Sequence, residues 1–327
     1  MATPVFRLLK QRYPESFLTA VGRESVCRLL GGLPAIDHFE PLPAQPGAGA
    51  MWRAARRLRS RLGRPDCAVI LPHSFRAALF ARMTGARRRI AYDRGGRRWL
   101  LTDAPPPHRV NGKITPVYMT DEYVGLLAAL DCEDDGQGPE LRADAGLGDA
   151  LRARWAGSGP LVGFAPGAAF GPSKRWPAER YAAVADAMTA QMGARCVLLT
   201  GPGEEDTREA VRQAARTAFL EPDIPGEGVA KLKSAISTLD LLIGNDSGPR
   251  HIAVAFGVPV VCIMGPTKPE YSMGPYERGQ VLRVPVDCGP CQQPICHTDH
   301  RCMTRISVDD VAAAARDALS GKSANTP

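Results

Sequence analysis

The sequence predicts an α/β protein of two doubly wound domains facing one another, each a mostly parallel sheet covered by helices. Three observations carry this expectation. The chain has 327 residues, against the roughly 100–200 of one domain. Short apolar runs alternate with helical patterns along nearly all of it, the rhythm of βαβ units. In the second half those runs are almost uniformly apolar, as strands covered on both faces must be. With 44% hydrophobic and 23% charged residues, each half can bury a core unaided, which excludes a disordered chain or a small disulfide-stapled module.

The chain opens on a helical pattern, MATPVFRLLKQRYP, whose Val5, Leu8 and Leu9 share one face. A doubly wound domain ordinarily opens with a strand, and its slot is expected upstream of residue 1; the alternative is a fold that starts with a helix. Then follow strand 17–22 (FLTAVG), helix 23–30, strand 36–40, helix 50–62, strand 67–72 (CAVILP), helix 74–84, strand 88–92 and a helical segment at 116–130. The polar, Gly/Asp-rich stretch 131–149 reads as a linker, so a first domain is expected at 1–140 and a second at 150–327. The second half continues with strand 160–165 (PLVGFA), helix 177–192, strand 195–200 (RCVLLT), helices 204–217 and 227–238, strand 240–244 (DLLIG), helix 248–256 and strand 259–264 (PVVCIM), and ends in a Cys-rich segment and a C-terminal helix.

The net charge of +7 is unevenly spread. Residues 1–150 carry 22 Lys/Arg against 16 Asp/Glu, and residues 51–100 alone carry 14 against two. Such a field attracts a phosphorylated substrate, an acidic membrane surface or nucleic acid; the alternative is an arginine-rich, solvated face. With 6% aromatic residues and no recognition module, a nucleic-acid partner is not expected. No apolar run approaches the roughly 18–20 residues that cross a bilayer, and no signal segment opens the chain, so a cytoplasmic location is expected. Nine cysteines, an odd number, include Cys67, Cys196 and Cys262 in apolar runs, where a reduced thiol packs as a small hydrophobe.

Three loops have the composition of a nucleotide-sugar site. In PLVGFAPGAAFGPSKRWP (160–177), Gly167 and Gly171 let backbone amides approach an anion and Lys174 adds a mobile cation, without the order of a Walker loop. In DLLIGNDSGPRHIAVAFG (240–257), a strand runs into Asp246, Ser247 and Gly248 at a helix start, with His251 in the first turn. Free amides and the helix dipole there suit a diphosphate, and Asp246 can accept from sugar hydroxyls. The competing role for Asp246 or Ser247 is a helix N-cap. After strand 195–200, Glu204 or Glu205 can accept from a ribose diol or simply complement a helix dipole. A fourth segment, Cys288-x2-Cys291-x4-Cys296-x5-Cys302 with His297 and His300 interleaved, has the residue types of a structural zinc site; packed thiols and disulfides are the alternatives.

Together, the PGAAFGPSKRWP and GNDSGPRHIA stretches and the tail CGPCQQPICHTDHRCM resemble glycosyltransferase family 9, the bacterial lipopolysaccharide heptosyltransferases, and the likeness extends to LPHSF at 71–75 and WLLTD at 99–103. The resemblance implies a GT-B fold of two Rossmann-like domains. It implies an inverting transfer of heptose from ADP-heptose to the inner core of lipopolysaccharide, with no cofactor required, at the cytoplasmic face of the inner membrane. The acceptor, a heptosyl-Kdo2-lipid A type of molecule, would meet the arginine-rich first domain.

By position, Lys174 would contact the phosphate-sugar region and Asp246 the heptose hydroxyls. Ser247, Gly248 and His251 would surround the diphosphate, with Glu204 or Glu205 near the ribose. Ala169 stands where family members often carry an acidic residue. The helix matching MATPVFRLLK is preceded in similar proteins by a strand and a Gly-Asp loop whose aspartate is the general base. No catalytic residue is therefore identified here, and the chain is expected to lack that first strand through a misplaced start or a truncation. Rival expectations are a family 9 transferase with another donor or acceptor, a catalytically silent sugar-nucleotide binder, and a zinc-dependent nucleic-acid binder.

Overall fold

A computed structural model describes residues 1–223 and 228–321, and the chain divides into two compact units, Met1–Arg142 with Glu270–Ser272 and Ala143–Pro269 with Met273–Pro327. Residue 227 of the expected helix 227–238 and residues 322–327 of the expected second domain lie outside the described residues.

The first unit runs α1 (Thr3–Arg12), β1 (Thr19–Arg23), α2 (Glu24–Leu30), β2 (His38–Leu42), α3 (Ala48–Leu62), β3 (Cys67–Val69), α4 (Phe75–Met83), β4 (Arg88–Ile90), a hairpin of β5 (Arg109–Val110) and β6 (Lys113–Ile114), and α5 (Met119–Gly125), which tightens into a 3-10 turn over Leu126–Leu130. α1 starts with Pro4 in its first turn, where the missing N–H costs nothing, and buries Val5 and Leu8. Arg7 fastens it: the guanidinium donates to both carboxylate oxygens of Asp135 at 2.7 and 2.8 Å and to Glu140 at 2.8 Å. α3 buries Met51, Ala54, Ala55 and Leu58 on one face and exposes Trp52 and a row of arginines on the other. β1 pairs with β2 and β3 with β4, both in parallel, and no ladder joins the two pairs among the described residues. The expected βαβ rhythm is present, but its strands are short and only part-buried.

The second unit runs α6 (Ala145–Arg154), β7 (Leu161–Ala165), α7 (Ala178–Met192), β8 (Arg195–Leu198), α8 (Glu205–Ala214), α9 (Gly228–Ser237), β9 (Leu241–Asn245), α10 (Gly248–Ala255), β10 (Val260–Ile263), β11 (Gly279–Leu282), α11 (Arg301–Thr304) and α12 (Val308–Leu319). Its strands form one parallel sheet in the order β11-β10-β9-β7-β8. Every residue of β7, β9 and β10 is buried, which is why these runs read as continuously apolar. One core joins Val162 and Phe164 of β7, Tyr181, Val184 and Met188 of α7, and Val311 and Ala315 of α12.

Two boundaries differ from the sequence expectation. The stretch 131–149 is not all linker: Asp144 accepts from the Leu147 N–H at 2.9 Å and caps α6, which starts at Ala145. β11 was not anticipated, because GQVL lies in a Pro/Gly-rich context and takes its conformation from pairing with β10.

Candidate functional site

In the second unit β7 has β8 on one side and β9 on the other, so the connections leaving the sheet reverse direction between β7 and β9. A parallel sheet binds ligands at such a switch point, beyond the carboxyl ends of the strands. The loops that leave there are 166–174 after β7 and 246–247 after β9, two of the three that the sequence singles out.

Asp246 is the centre of this region and is only 6% exposed. Its Oδ2 accepts from Lys174 Nζ at 2.7 Å and from Thr267 Oγ1 at 2.8 Å, and its Oδ1 accepts from Arg250 Nη1 at 2.7 Å. Lys174 Nζ also donates to the Asp246 carbonyl at 2.9 Å and lies 5.1 Å from the centre of the half-exposed Phe170 ring. Arg250, 1% exposed, turns its other edge to Glu277 in a bidentate pair at 2.7 and 2.6 Å. Burial opposes the charge on Asp246, but Arg250 and Lys174 outweigh it and hold the carboxyl well below the usual range. A carboxylate offers about four lone-pair sites, and three here are already taken.

Ser247 stands at the N-cap position of α10 with extended backbone, yet its side chain caps nothing. Its hydroxyl is buried and without a hydrogen-bond partner. Neither Asp246 nor Ser247 therefore serves as a side-chain cap of α10. Gly248 begins the helix, followed by Pro249. His251, in the first turn, is desolvated and close to the Arg250 guanidinium, which push its imidazole down to about 3, so it is neutral at physiological pH.

Glu204 and Glu205 differ. Glu204 Oε2 accepts from the Gly201 N–H at 2.8 Å, and its carboxylate lies directly over the Gly167 α-carbon, in space a side chain at 167 would fill. Glu205 turns away to the Gly203 N–H at 3.2 Å. The structure thus groups Lys174, Asp246, Ser247, Gly248 and His251 at one place and Gly167 with Glu204 beside it, and leaves Glu205 in its own turn.

Sequence reasoning missed four residues that build the region. Asn245 accepts from the Trp176 N–H at 3.2 Å and the Tyr181 hydroxyl at 2.9 Å, and donates to the Pro166 carbonyl at 2.7 Å, tying the lysine loop to β9. Arg250 follows Asp246 at the i,i+4 spacing of a helical ion pair, a signal that was available; Thr267 and Glu277 carried none.

The cysteine segment corrects an expectation. Among the described residues no group of three or more His, Cys, Asp or Glu side chains is arranged to hold a metal ion. Cys288 and Cys296 both face the Thr298 hydroxyl, at 3.9 and 3.5 Å. Cys302 instead belongs to α11 and packs into the core against the Gly265 backbone, where burial raises its thiol. His300 is committed elsewhere, to the Ser173 carbonyl at 2.7 Å.

Comparison with known proteins matches residues 53–301 to the model of glycosyltransferase family 9 (heptosyltransferase). Lipopolysaccharide heptosyltransferase 2 of Salmonella typhimurium is 29% identical over 87% of this chain and 84% of its own length, and that of Escherichia coli is 27% identical over the same shares. Among solved structures, a family 9 glycosyltransferase from Veillonella parvula superposes with a TM-score of 0.82 at 24% identity over 98% of this chain and 93% of its own. The E. coli ADP-heptose heptosyltransferase II gives 0.79 at 24% identity over 98% and 94%. The architecture is the GT-B fold, and the chain belongs to glycosyltransferase family 9.

Proposed function

We propose that this chain transfers L-glycero-D-manno-heptose from ADP-heptose to the inner core of lipopolysaccharide with inversion at the anomeric carbon. The observation that carries the reading is the buried, partnerless Ser247 hydroxyl at the start of α10, with the Lys174 ammonium held on the adjacent Asp246. A diphosphate supplies the acceptors such a place lacks. The names of the relatives, heptosyltransferases of lipopolysaccharide, supply the donor and acceptor classes.

In this reading the diphosphate lies against the Ser247 hydroxyl and the Gly248 amide, with neutral His251 beside it. Lys174 balances the charge that builds on departing ADP, an electrostatic task that calls on no metal. Asp246 holds Lys174 in place and keeps one lone-pair site for a heptose hydroxyl. Glu204, beside Gly167, is the carboxylate for the ribose diol. The acceptor hydroxyl attacks the anomeric carbon opposite the diphosphate and loses its proton to a base that none of these residues supplies. The two units divide the work, with the phosphorylated heptosyl-Kdo2-lipid A type of acceptor on the arginine-rich first. No helix among the described residues is long and apolar enough to cross a membrane; the basic α3 face supports peripheral contact with the cytoplasmic side of the inner membrane.

The test incubates the protein with the acceptor and either ADP-heptose or UDP-sugars and follows nucleotide release. ADP released only with ADP-heptose and acceptor together is the expected result. Turnover of a UDP-sugar instead, or no binding of ADP-heptose, would overturn the reading.

A further inference from the structure

The Cys-rich segment is tied to the lysine loop more densely than a terminal tail requires. All three polar groups of Ser173, which is 2% exposed, are satisfied by it. The Ser173 N–H donates to the Pro294 carbonyl at 3.1 Å, its hydroxyl to the Gln293 carbonyl at 2.5 Å, and its carbonyl accepts from His300 Nε2 at 2.7 Å. Because a carbonyl only accepts, the last contact puts the His300 proton on Nε2. Gly171 brings its backbone against the Pro294 carbonyl at φ +151°, an approach that leaves no room for a side chain. On the opposite side, the Gln292 N–H donates to the Pro266 carbonyl at 2.9 Å, one residue before the Thr267 that binds Asp246. Further along, the Ile306 carbonyl accepts from Trp176 Nε1 at 3.1 Å and from Arg180.

We infer that residues 292–306 form a strap that positions Lys174 for its anionic ligand, with Ser173 and His300 as the positioning residues. The strap joins the loop that delivers Lys174 to the loop that delivers Thr267, and both side chains end on Asp246 Oδ2. A four-methylene ammonium has many rotamers, and anchoring the preceding residue through three hydrogen bonds, two of them to its backbone, removes much of the freedom it would otherwise lose on binding. The inference rests on the donor reading above.

The test measures ADP binding by calorimetry on the full chain, in Ser173→Ala and His300→Ala variants made both in the native background and with Lys174→Met. Each strap variant is expected to weaken ADP about five- to tenfold, the range of one ordered hydrogen bond. With Lys174→Met already present, the same changes are expected to cost less than about twofold, because coupled residues are not additive. His300→Gln, which keeps an N–H donor, should recover most of the affinity. Equal losses in both backgrounds would reduce the strap to a purely structural role and overturn the proposal, as would no loss at all. If His300→Ala does not fold, Ser173→Ala, which removes one hydrogen bond, decides alone. Failure of the native chain to bind ADP, or unchanged affinity in Lys174→Met alone, would overturn the donor reading instead.

Discussion

At the scale of single residues, the arrangement stores its cost where a ligand can relieve it. A buried hydroxyl without a partner costs about 1–3 kcal/mol, and Ser247 is such a group. Ser247→Ala is therefore expected to leave the melting temperature unchanged or raise it slightly while weakening ADP about tenfold; a drop in both would make Ser247 a structural residue. His251 makes a pH prediction. Its folded value of about 3 lies below the ordinary 6.5, so the unfolded chain binds the extra proton between those values and folding is penalised there. Its stabilising contribution is complete above about pH 6.5 and is lost as pH falls toward 3. Melting temperatures from pH 7 to 5 should fall more steeply for the native chain than for His251→Gln. Equal slopes would show that the imidazole is not desolvated.

At the scale of elements, glycines of two kinds predict different outcomes. Gly193 ends α7 at φ +61° with open space around it, whereas Gly171 faces the Pro294 carbonyl at φ +151°. Alanine at either position strains the backbone by about 1 kcal/mol or more. Gly193→Ala should lower the melting temperature and leave ADP affinity alone; Gly171→Ala should lower both, measured by calorimetry beside thermal melting.

The same scale shows what a sequence can encode. β7, β9 and β10 were legible because burial on both faces leaves an uninterrupted apolar run, Asp246 because it follows such a run directly, and Lys174 because it closes a glycine-rich loop after one. The roles of Asn245 and Ser173 were not, since their partners are mainly main-chain carbonyls and amides far along the chain, which any residue provides. The residue types of the Cys288–Cys302 segment carried less: nothing in them said that Cys302 would turn into the core while Cys288 and Cys291 stay exposed.

At the scale of the molecule, charge is the organising asymmetry. α3 has no acidic residue, and its outer face carries exposed Arg53, Arg56, Arg59 and Arg61 beside Trp52, whose ring lies 5.4 Å from the Arg56 guanidinium. An arginine near an anionic bilayer contributes about 1 kcal/mol, and Trp suits the interface. Vesicles containing anionic phospholipid should therefore sediment the protein at low salt and release it at high salt. Arg53→Glu with Arg56→Glu should abolish the sedimentation, and equal binding to neutral vesicles would contradict the role. The two units also differ in cohesion: one has a five-stranded sheet, the other strands paired two by two, and paired strands alone are marginal.

The strap has a temporal consequence. Lys174 and Asp246 leave the ribosome well before residues 292–306, so a nascent chain displays the charged loops of its second unit while the brace that orders them is still in the exit tunnel. On the donor reading, tight capture of a nucleotide therefore waits until the strap has emerged behind the loops it orders.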